Sequence, residues 1–160
     1  METMKLLPVE YKDKEVLRNL MEYYLYDFSE IENFDLYPHG RFEYKYLDYY
    51  WTEDTRFPFF IMVNDLYAGF ILVRKKDKHT HVISEFFVMR KYRRNGIGEH
   101  AARVIFDRFP GQWELSQVKN NISAKKFWRK VIGNYTQDQF QENVDDQGVT
   151  THKFSSRKEV

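Results

Sequence analysis

The sequence predicts an α/β domain built on a mixed sheet, and two observations carry this prediction. The spacing of the apolar residues changes along the chain, from the 3.6-residue repeat of helices to the alternation of strands and back. The predicted elements follow in the order β-α-α-β-β-β-α-β-α-β-β, with no internal repeat, linker or low-complexity tract between them. Since 160 residues suffice to bury a core, residues 1–160 are expected to form a single domain.

The first part of the chain is predicted to contain one strand and two helices. Residues 4–9 alternate loosely and are predicted to form a short strand. From Lys12 onwards, apolar residues at helical spacing predict an amphipathic helix of about four turns. The acidic, turn-rich segment 29–40 is predicted to be a long loop, and the aromatic segment 42–51 a second, shorter helix.

The middle of the chain is predicted to be β-structure. Three β-rich runs cover residues 57–63, 67–76 and 81–90. The first two are separated by Asn64-Asp65-Leu66, which is typical of a hairpin. The remaining predicted elements are a helix from Ile97 to Phe109 stopped by Pro110-Gly111, a strand at 112–118, a helix at 121–131, and two closing strands at 134–140 and 149–154.

The composition limits the classes of protein that fit. Cysteine is absent, so disulfides and thiolate metal sites are excluded and no metal is predicted; such a chain fits the reducing cytoplasm but tolerates any compartment. No stretch approaches the roughly 18 apolar residues of a membrane span, and the N-terminus lacks the apolar run of a signal peptide. A net charge of +1 argues against a domain-wide polyanion binder. We therefore expect a soluble, cytoplasmic protein that binds neither membranes nor nucleic acid.

One segment combines glycines and arginines in front of a predicted helix. In "YRRNGIGEHAARVIFDRF", Gly96 and Gly98 stand between the strand at 83–89 and the helix. The first turn of a helix carries unpaired N–H groups and a partial positive charge, and glycines let a large ligand reach them. Four basic residues add charge, namely Arg90, Lys91, Arg93 and Arg94. A pyrophosphate fits this arrangement, although a Gly-x-Gly also occurs in plain loops, and neither the dinucleotide-binding fingerprint nor a P-loop is complete here.

Two linked motifs resemble the GCN5-related N-acetyltransferases (the GNAT family). Residues 93–98, Arg-Arg-Asn-Gly-Ile-Gly, match the family's acetyl-CoA-binding signature Arg/Gln-x-x-Gly-x-Gly/Ala between a strand and a helix. Residues 121–128, Asn-Ile-Ser-Ala-Lys-Lys-Phe-Trp, answer its next motif, Asn-x-x-Ala-x-x-Leu/Phe-Tyr, on the following helix. The resemblance is specific over residues 83–133. It implies a mixed, mostly antiparallel, twisted sheet flanked by helices, and an N-acetyltransferase that uses acetyl-CoA and no metal.

The resemblance also implies roles for the matching residues. Backbone groups at Val88 and Met89 would pair with pantetheine, and the amides of residues 94–98 would hold the pyrophosphate. An arginine fork suits phosphate, so Arg93 or Arg94 would assist. The implied cofactor-binding residues are Val88, Met89, Arg93, Arg94, Asn95, Gly96, Ile97, Gly98, Asn121 and Trp128. A basic face formed by Lys125, Lys126, Arg129 and Lys130 would either reach the 3′-phosphate or be simply solvated.

Acetyl transfer to an amine requires a proton acceptor, because an alkylammonium has a pKa of about 10.4 and the attacking amine must be neutral. Glu85 is the first candidate for this catalytic base, since a carboxylate in an otherwise apolar strand is costly unless wet or paired. The alternative is an edge-exposed or salt-bridged glutamate. Alternation predicts one strand face with Glu85, Phe87 and Met89 and another with Ser84, Phe86 and Val88. Reserve candidates, each otherwise an ordinary surface residue, are His39, His81 and Glu114.

The second motif departs from the family at its last position. Many relatives have a tyrosine there that protonates the departing thiolate, and this chain has Trp128. An indole N–H donates a hydrogen bond but delivers no proton at neutral pH, so Trp128 is expected to pack. Another group, such as Tyr135, or water would supply the proton, which is tolerable because a thiolate of pKa about 8.5 leaves readily. The general acid stays unassigned.

The acceptor would be a small-molecule or peptide amine bound near residues 23–51. This segment contains many rings and six acids, which are Asp27, Glu30, Glu32, Asp35, Glu43 and Asp48. They would attract a cationic amine such as a polyamine, an amino sugar or a lysine, or they are core rings and ordinary surface acids. The sequence leaves the oligomeric state open, with a homodimer as one option.

Two other functions fit parts of the sequence. Trp128 in place of tyrosine suggests a non-catalytic acyl-CoA sensor or interaction module on the same fold. The run "RKYRR", residues 90–94, with neighbouring aromatics suggests a nucleic-acid binder, against which the near-zero net charge argues.

Overall fold

The computed structural model describes residues 3–156. The strands are β1 (Met4–Pro8), β2 (Arg56–Val63), β3 (Leu66–Lys75), β4 (Thr80–Val88), β5 (Gly111–Gln117), β6 (Gln141–Val144) and β7 (Thr150–Ser156). The α-helices are α1 (Lys14–Glu32), α2 (Tyr49–Thr52), α3 (Ile97–Arg108) and α4 (Ile122–Thr136). Single 3₁₀ turns at Tyr11–Asp13 and Arg90–Tyr92 precede α1 and follow β4. None of these helices is long and apolar enough to cross a membrane.

These strands form one sheet in the order β1-β2-β3-β4-β5-β7-β6. Every neighbouring pair is antiparallel except β4 and β5, which are parallel. The sheet is therefore mixed and mostly antiparallel, and the predicted fold class is confirmed. Asn64 and Asp65 close the β2–β3 hairpin with φ angles of 50° and 63°, the left-handed conformations that a tight two-residue hairpin turn requires.

Helices cover both faces of the sheet because the strands bury side chains on both sides. On one face, Ile61 of β2 belongs to a core with Ile105 of α3 and Val131 of α4. On the other face, its neighbour Phe60 belongs to a second core with Leu17 of α1. Successive residues of one strand thus serve opposite cores, as the alternation of a pleated strand dictates. We call these the α3/α4 face and the α1 face.

The segment between α1 and β2 differs from the prediction at both ends. Helix α1 continues through residues 29–32, which were predicted to be loop, and ends where Asn33 adopts φ 54°. Residues 42–48 are not helical, and α2 is a single turn. The amides of Phe42 and Glu43 donate to the Glu22 carboxylate over 2.8 and 3.0 Å, and Glu43 has φ 56°. This anchoring to α1 replaces the hydrogen bonds that a second long helix would have made.

The prediction of a strand at 134–140 is wrong. Helix α4 continues to Thr136, and β6 begins only at Gln141. Gln137 and Asp138, with φ angles of 54° and 64°, end the helix in left-handed conformations. Tyr135 and Phe140, the aromatic residues of this segment, pack against the α3/α4 core.

Strands β4 and β5 pair only near their starts. The pairs are Thr80–Gln112, His81–Trp113 and Val82–Glu114. Beyond Val82 the second half of β4 keeps β3 as its neighbour and has no pairing with β5. The sheet consequently contains an opening between these two strands.

A β-bulge lies in β4 beside this opening. Leu72 of β3 pairs with Glu85 and Val73 pairs with Ile83, so Ser84 is an extra residue. The structure confirms that Glu85 and Phe87 share the α1 face. Ser84 was predicted on the opposite face, but its side chain approaches Tyr50, a residue of the α1-face core, because the bulge shifts the alternation by one residue.

Candidate active site

The end of β4 directs one backbone donor into the opening. The Met89 N–H donates to Ala68 O over 2.8 Å, and Val88 lies opposite Gly69. In an antiparallel ladder this makes Val88–Gly69 a non-hydrogen-bonded pair, so both polar groups of Val88 point away from β3. The Val88 carbonyl accepts a hydrogen bond of 2.7 Å from Arg93 Nε. The Val88 N–H therefore faces the opening, whereas the Met89 N–H is engaged within the sheet.

Gly69 holds β3 and β4 unusually close at this point. A Cβ atom at Gly69 would lie 1.9 Å from the carbonyl oxygen of Phe87. Any side chain there would push against the peptide that carries the Val88 N–H. The sequence analysis missed this glycine, because its only signal is a glycine inside an apolar strand.

The turn before α3 presents backbone N–H groups. Arg94 and Gly96 both have left-handed backbones, with φ angles of 67° and 82°, an alternation that gathers successive N–H groups on one concave side. Gly96 is the N-cap and, as a glycine, has no side chain with which to cap the helix. The amide of His100 donates to Gly96 O over 3.0 Å, so the amides of Ile97 and Gly98 precede the intrahelical ladder. An anion at this corner would meet these donors and the positive end of α3.

The two glycines of the turn have different surroundings. Around Gly96 a Cβ atom would meet nothing within 4 Å, so this corner is open. At Gly98 a Cβ would lie 3.2 Å from the Phe127 ring, so this glycine also allows α3 and α4 to pack closely. Asn95, just before Gly96, is exposed, and the side chain of Ile97, between the two glycines, is buried in the α3/α4 core.

Arg93 is already engaged by other elements of the protein. Its Nε donates to Val88 O over 2.7 Å, and one of its terminal nitrogens donates to Asp27 of α1 over 2.9 Å. Arg90 donates to the other oxygen of Asp27 over 2.8 Å. Burial would raise the pKa of Asp27, but the hydrogen bonds from Arg93 and Arg90 outweigh it and lower that pKa. Arg94 is exposed and remains the arginine of the signature available to a phosphate.

Asn121 and Trp128 have structural partners. The side-chain oxygen of Asn121 accepts from the Ala124 N–H over 3.3 Å and caps α4, which leaves its amide nitrogen for any pantetheine contact. Trp128 is buried and packs edge-on against Phe86 and Phe127, with ring centroids 5.0 and 4.8 Å away. It lies on the α3/α4 face of the opening, as a packing residue.

Glu85 lies among tyrosines on the α1 face. The Tyr24 hydroxyl donates to one carboxylate oxygen over 2.9 Å, and the Tyr44 hydroxyl lies 3.5 Å from the other. Burial raises the pKa of Glu85 to about 7, and the two hydroxyls limit the rise. A carboxylate of this pKa is part ionised near neutral pH and can take up a proton there. The salt-bridged alternative does not hold, since no cation contacts Glu85 among residues 3–156.

The tyrosines around Glu85 are functional candidates that the sequence analysis did not identify individually. Burial raises the pKa of Tyr24 and of Tyr44, and the nearby Glu85 carboxylate adds to both rises, so both remain protonated donors. The buried Tyr50 hydroxyl makes no hydrogen bond of good geometry within residues 3–156, although Ser84 and Tyr44 are close enough to influence it. The number of tyrosines in residues 23–51 was the only signal in the sequence.

The reserve candidates for the base lie in other surroundings. Glu114 forms ion pairs with Lys76 at 2.7 Å and with Lys153 at 3.8 Å. His39 is exposed and lies 3.5 Å from Glu43. His81 stacks between Phe109 and Trp113 at the start of β4, where burial and Lys75 lower its pKa. None of them lies next to Val88.

Tyr135, considered as an acid, is also engaged elsewhere. Its hydroxyl donates to Asp107 over 2.6 Å, and its ring packs on Phe106 and Phe154. Burial and Asp107 raise its pKa. Tyr135 stands two helical turns beyond Trp128, near the C-terminal end of α4, so the structure does not bring it to the opening.

Half of the acids expected to attract an amine are neutralised internally. Asp27 binds two arginines, Glu43 contacts Arg18, and Asp48 pairs with Lys14. Glu30, Glu32 and Asp35 remain exposed. The acidic character of this segment therefore gives less attraction for a polycation than the sequence suggested. No group of three or more His, Asp or Glu within residues 3–156 is placed to hold a metal ion.

The comparison with family models identifies the class of protein. The model described as "Acetyltransferase (GNAT) family" matches residues 19–133. The match covers more than half of the chain, and the protein belongs to the GNAT acetyltransferase family, which uses acetyl-CoA as acyl donor. No curated protein matches the sequence.

Solved structures share the fold at low sequence identity. An acetyltransferase from Thermus thermophilus is 15% identical with a TM-score of 0.73, over 96% of this chain and 97% of that chain. Spermidine N-acetyltransferase from Vibrio cholerae, in complex with CoA and spermine, is 11% identical with a TM-score of 0.65, over 96% and 95%. The PaiA N-acetyltransferase from Thermoplasma acidophilum, in complex with coenzyme A, is 11% identical with a TM-score of 0.62, over 96% and 99%.

Proposed function

We propose that the protein is an N-acetyltransferase that moves the acetyl group of acetyl-CoA to a primary amine. One observation carries the proposal. Glu85, a carboxylate of pKa about 7, lies three residues before the Val88 N–H, at the place where β4 has lost its neighbour β5. Three strand residues span about 10 Å, a distance that an amine and one water molecule can bridge.

The donor would be bound by backbone and guanidinium groups. The open corner at Gly96 and the N–H groups of Ile97 and Gly98, which precede the intrahelical ladder, fit a diphosphate. The Arg94 guanidinium is exposed beside them. Pantetheine would run along the opening between β4 and β5, with the Asn121 amide nitrogen as a further donor. Bound acetyl-CoA supplies an acetyl group activated as a thioester.

The reaction would use one proton acceptor and one oxyanion donor from this chain. Glu85 takes the proton of the ammonium, directly or through water, so that the neutral amine can attack. The Val88 N–H donates to the thioester oxygen as negative charge develops on it. Trp128 cannot supply a proton and Tyr135 is held by Asp107, so in this proposal water carries the second proton of the attacking nitrogen to the departing thiolate.

The amine would bind on the α1 face between Glu85 and the surrounding rings. Tyr24 and Tyr44 hold the carboxylate, and the Tyr50 hydroxyl is available as a further donor or acceptor. Because half of the acids in residues 23–51 are already paired, we expect the amine to be selected by the shape of this site and by the Glu85 carboxylate. The Vibrio cholerae relative was solved with spermine, which makes polyamines one class to test.

A turnover assay with a panel of amines tests the proposal. The protein is incubated with acetyl-CoA and, separately, a polyamine, an amino sugar, a lysine peptide and an aromatic monoamine, and free thiol is measured. CoA binding is measured in parallel by calorimetry. Thiol release that depends on one amine class supports the enzyme. Binding without release under any amine would instead favour a non-catalytic acyl-CoA sensor, for which Trp128 is the supporting observation, and absence of binding refutes both.

A further inference from the structure

Arg93 connects two parts of the candidate site that are far apart in sequence. The same guanidinium donates to the Val88 carbonyl at the end of β4 and to the Asp27 carboxylate on α1, over 2.7 and 2.9 Å. It also lies 5.8 Å from the centre of the Phe87 ring, on the α1 face. Two N–H donors and one face of this rigid group are thereby fixed. The Arg93 side chain is 40% exposed, so it is partly shielded from water.

Asp27 continues this connection to the candidate base. Asp27 and Tyr24 are three residues apart on α1 and lie on the same side of the helix. Tyr24 holds Glu85 over 2.9 Å, and Asp27 holds Arg93. Helix α1 is thus tied to β4 at both Glu85 and Val88, the two residues to which we assign the base and the oxyanion donor.

The geometry also decides against the role that the family signature implies for this side chain. The Arg93 amide donates to Arg90 O over 3.2 Å, and its guanidinium is engaged by Val88 and Asp27. To reach a diphosphate it would have to release both. Arg94, two residues before the N-cap Gly96, is exposed and needs no such rearrangement.

We propose that Arg93 and Asp27 are positioning residues that form a clamp between α1 and the end of β4, setting the spacing between Glu85 and the Val88 N–H. The inference rests on the proposed function, because it concerns the geometry of that reaction. The clamp acts on turnover rather than on coenzyme affinity. A displacement of about 1 Å in a reacting pair can cost about 100-fold in rate, which makes such a positioning effect measurable.

Conservative variants separate positioning from binding. Arg93→Lys keeps the charge but lacks the rigid planar fork that fixes Val88 relative to Asp27, and Asp27→Asn keeps the shape but removes the charge. For each we expect kcat to fall about tenfold or more, with the Kd for CoA within about twofold of the parent. Because the two residues act as one unit, Arg93→Lys/Asp27→Asn should lose little more than either single variant.

Matched variants control for the loss of an arginine fork. Arg129 is held by Glu142 through two hydrogen bonds of 2.9 and 3.0 Å, as Arg93 is held by its partners. Since Glu142 occupies this fork, we assign Arg129 no contact with the coenzyme, and Arg129→Lys should leave both kcat and Kd unchanged. Arg94→Ala should weaken CoA binding, since we assign that guanidinium to the diphosphate. Thermal unfolding confirms that each variant is folded.

Different results would overturn the clamp and the proposed function. If Arg93→Lys binds CoA more weakly and keeps its kcat, Arg93 is a diphosphate ligand and not part of a clamp. If the losses of kcat in the two single variants multiply in the double variant, the two residues act independently. Backbone ¹⁵N spectra give a readout without turnover, because the clamp requires the Val88 and Met89 amide resonances to shift in Arg93→Lys and not in Arg129→Lys. Unmoved resonances refute the clamp, whereas a parent protein that binds CoA and acetylates no amine refutes the proposed function alone.

Discussion

At the scale of single residues, the reactivity of Glu85 comes from its surroundings. A glutamate in a half-buried position loses hydration and holds its proton more tightly, which raises the pKa of Glu85 to about 7. The Tyr24 and Tyr44 hydroxyls stabilise the ionised form and prevent a larger rise. The sequence singled out Glu85 as a charge in an apolar strand. It could not supply the partners, since Tyr24 and Tyr44 precede Glu85 by 61 and 41 residues.

The pH dependence of turnover tests Glu85 directly. Because a base must be deprotonated to act, kcat/KM should rise with pH through about 7 as Glu85 ionises. We expect Glu85→Gln to lower kcat about 100-fold and to remove this limb of the profile. Glu114→Gln serves as the control, since Glu114 lies on the neighbouring strand β5 and is paired with Lys76. An unchanged limb in Glu85→Gln would assign the base to another group.

At the scale of elements, the two helices that carry the family motifs begin in different ways. Helix α4 is capped by the Asn121 side chain, which satisfies one of its free amides. Helix α3 begins at Gly96 with no side-chain cap. A glycine at the N-cap costs only a few tenths of a kcal/mol of helix stability relative to a good cap, and it leaves the first-turn N–H groups for a bound anion.

Substituting the N-cap glycine tests the diphosphate assignment. Gly96→Trp should weaken CoA binding by more than about 100-fold, because the ring would fill the corner in which the N–H groups converge. Gly40 is a matched control, because its φ of 84° resembles the 82° of Gly96 and a Cβ meets nothing within 4 Å at either position. Gly40→Trp thus carries the same backbone strain. Calorimetry with CoA distinguishes the outcomes. Equal losses of affinity in Gly96→Trp and Gly40→Trp would indicate backbone strain. Unchanged affinity in Gly96→Trp would show that the amides at this corner do not bind the diphosphate.

The sequence predicted most elements of the fold and failed where long-range contacts decide local structure. Alternation and helical spacing located β1 to β5, β7 and the starts of α1, α3 and α4. The segment 42–48 has the aromatic character of a buried helix, yet its backbone binds Glu22, about 20 residues away. The bulge at Ser84 depends on pairing with β3, so simple alternation placed Ser84 on the wrong face. Neither contact has a local signal.

At the scale of the whole molecule, the candidate base is expected to cost stability. Glu85 has an ordinary pKa of 4.5 in an unfolded chain and a pKa of about 7 in the fold. The unfolded chain therefore gives up the proton first as the pH rises, and folding becomes less favourable between pH 4.5 and 7. The gap between these two pKa values corresponds to about 3 kcal/mol above pH 7.

Unfolding of Glu85→Gln measures this cost. The variant carries no charge at this position at any pH, so it should be more stable than the parent by about 3 kcal/mol at pH 8. The difference should shrink as the pH falls and disappear near pH 4.5. Urea unfolding of both proteins from pH 4.5 to 8 gives the comparison. Parallel curves across this range would contradict the raised pKa of Glu85.

The short β4–β5 pairing has a mechanical consequence. The first four strands and the last three are joined by main-chain hydrogen bonds only around Thr80–Val82. We therefore expect that the two halves of the sheet can tilt relative to each other about this short pairing without breaking main-chain hydrogen bonds between strands. The axis of this tilt lies at His81, which packs between Phe109 and Trp113 about 20 Å along β4 from Val88. Such a tilt would widen the opening between β4 and β5 for a bulkier acyl chain. The three rings would repack, and Glu85 and Val88 would keep their spacing because both lie on β4.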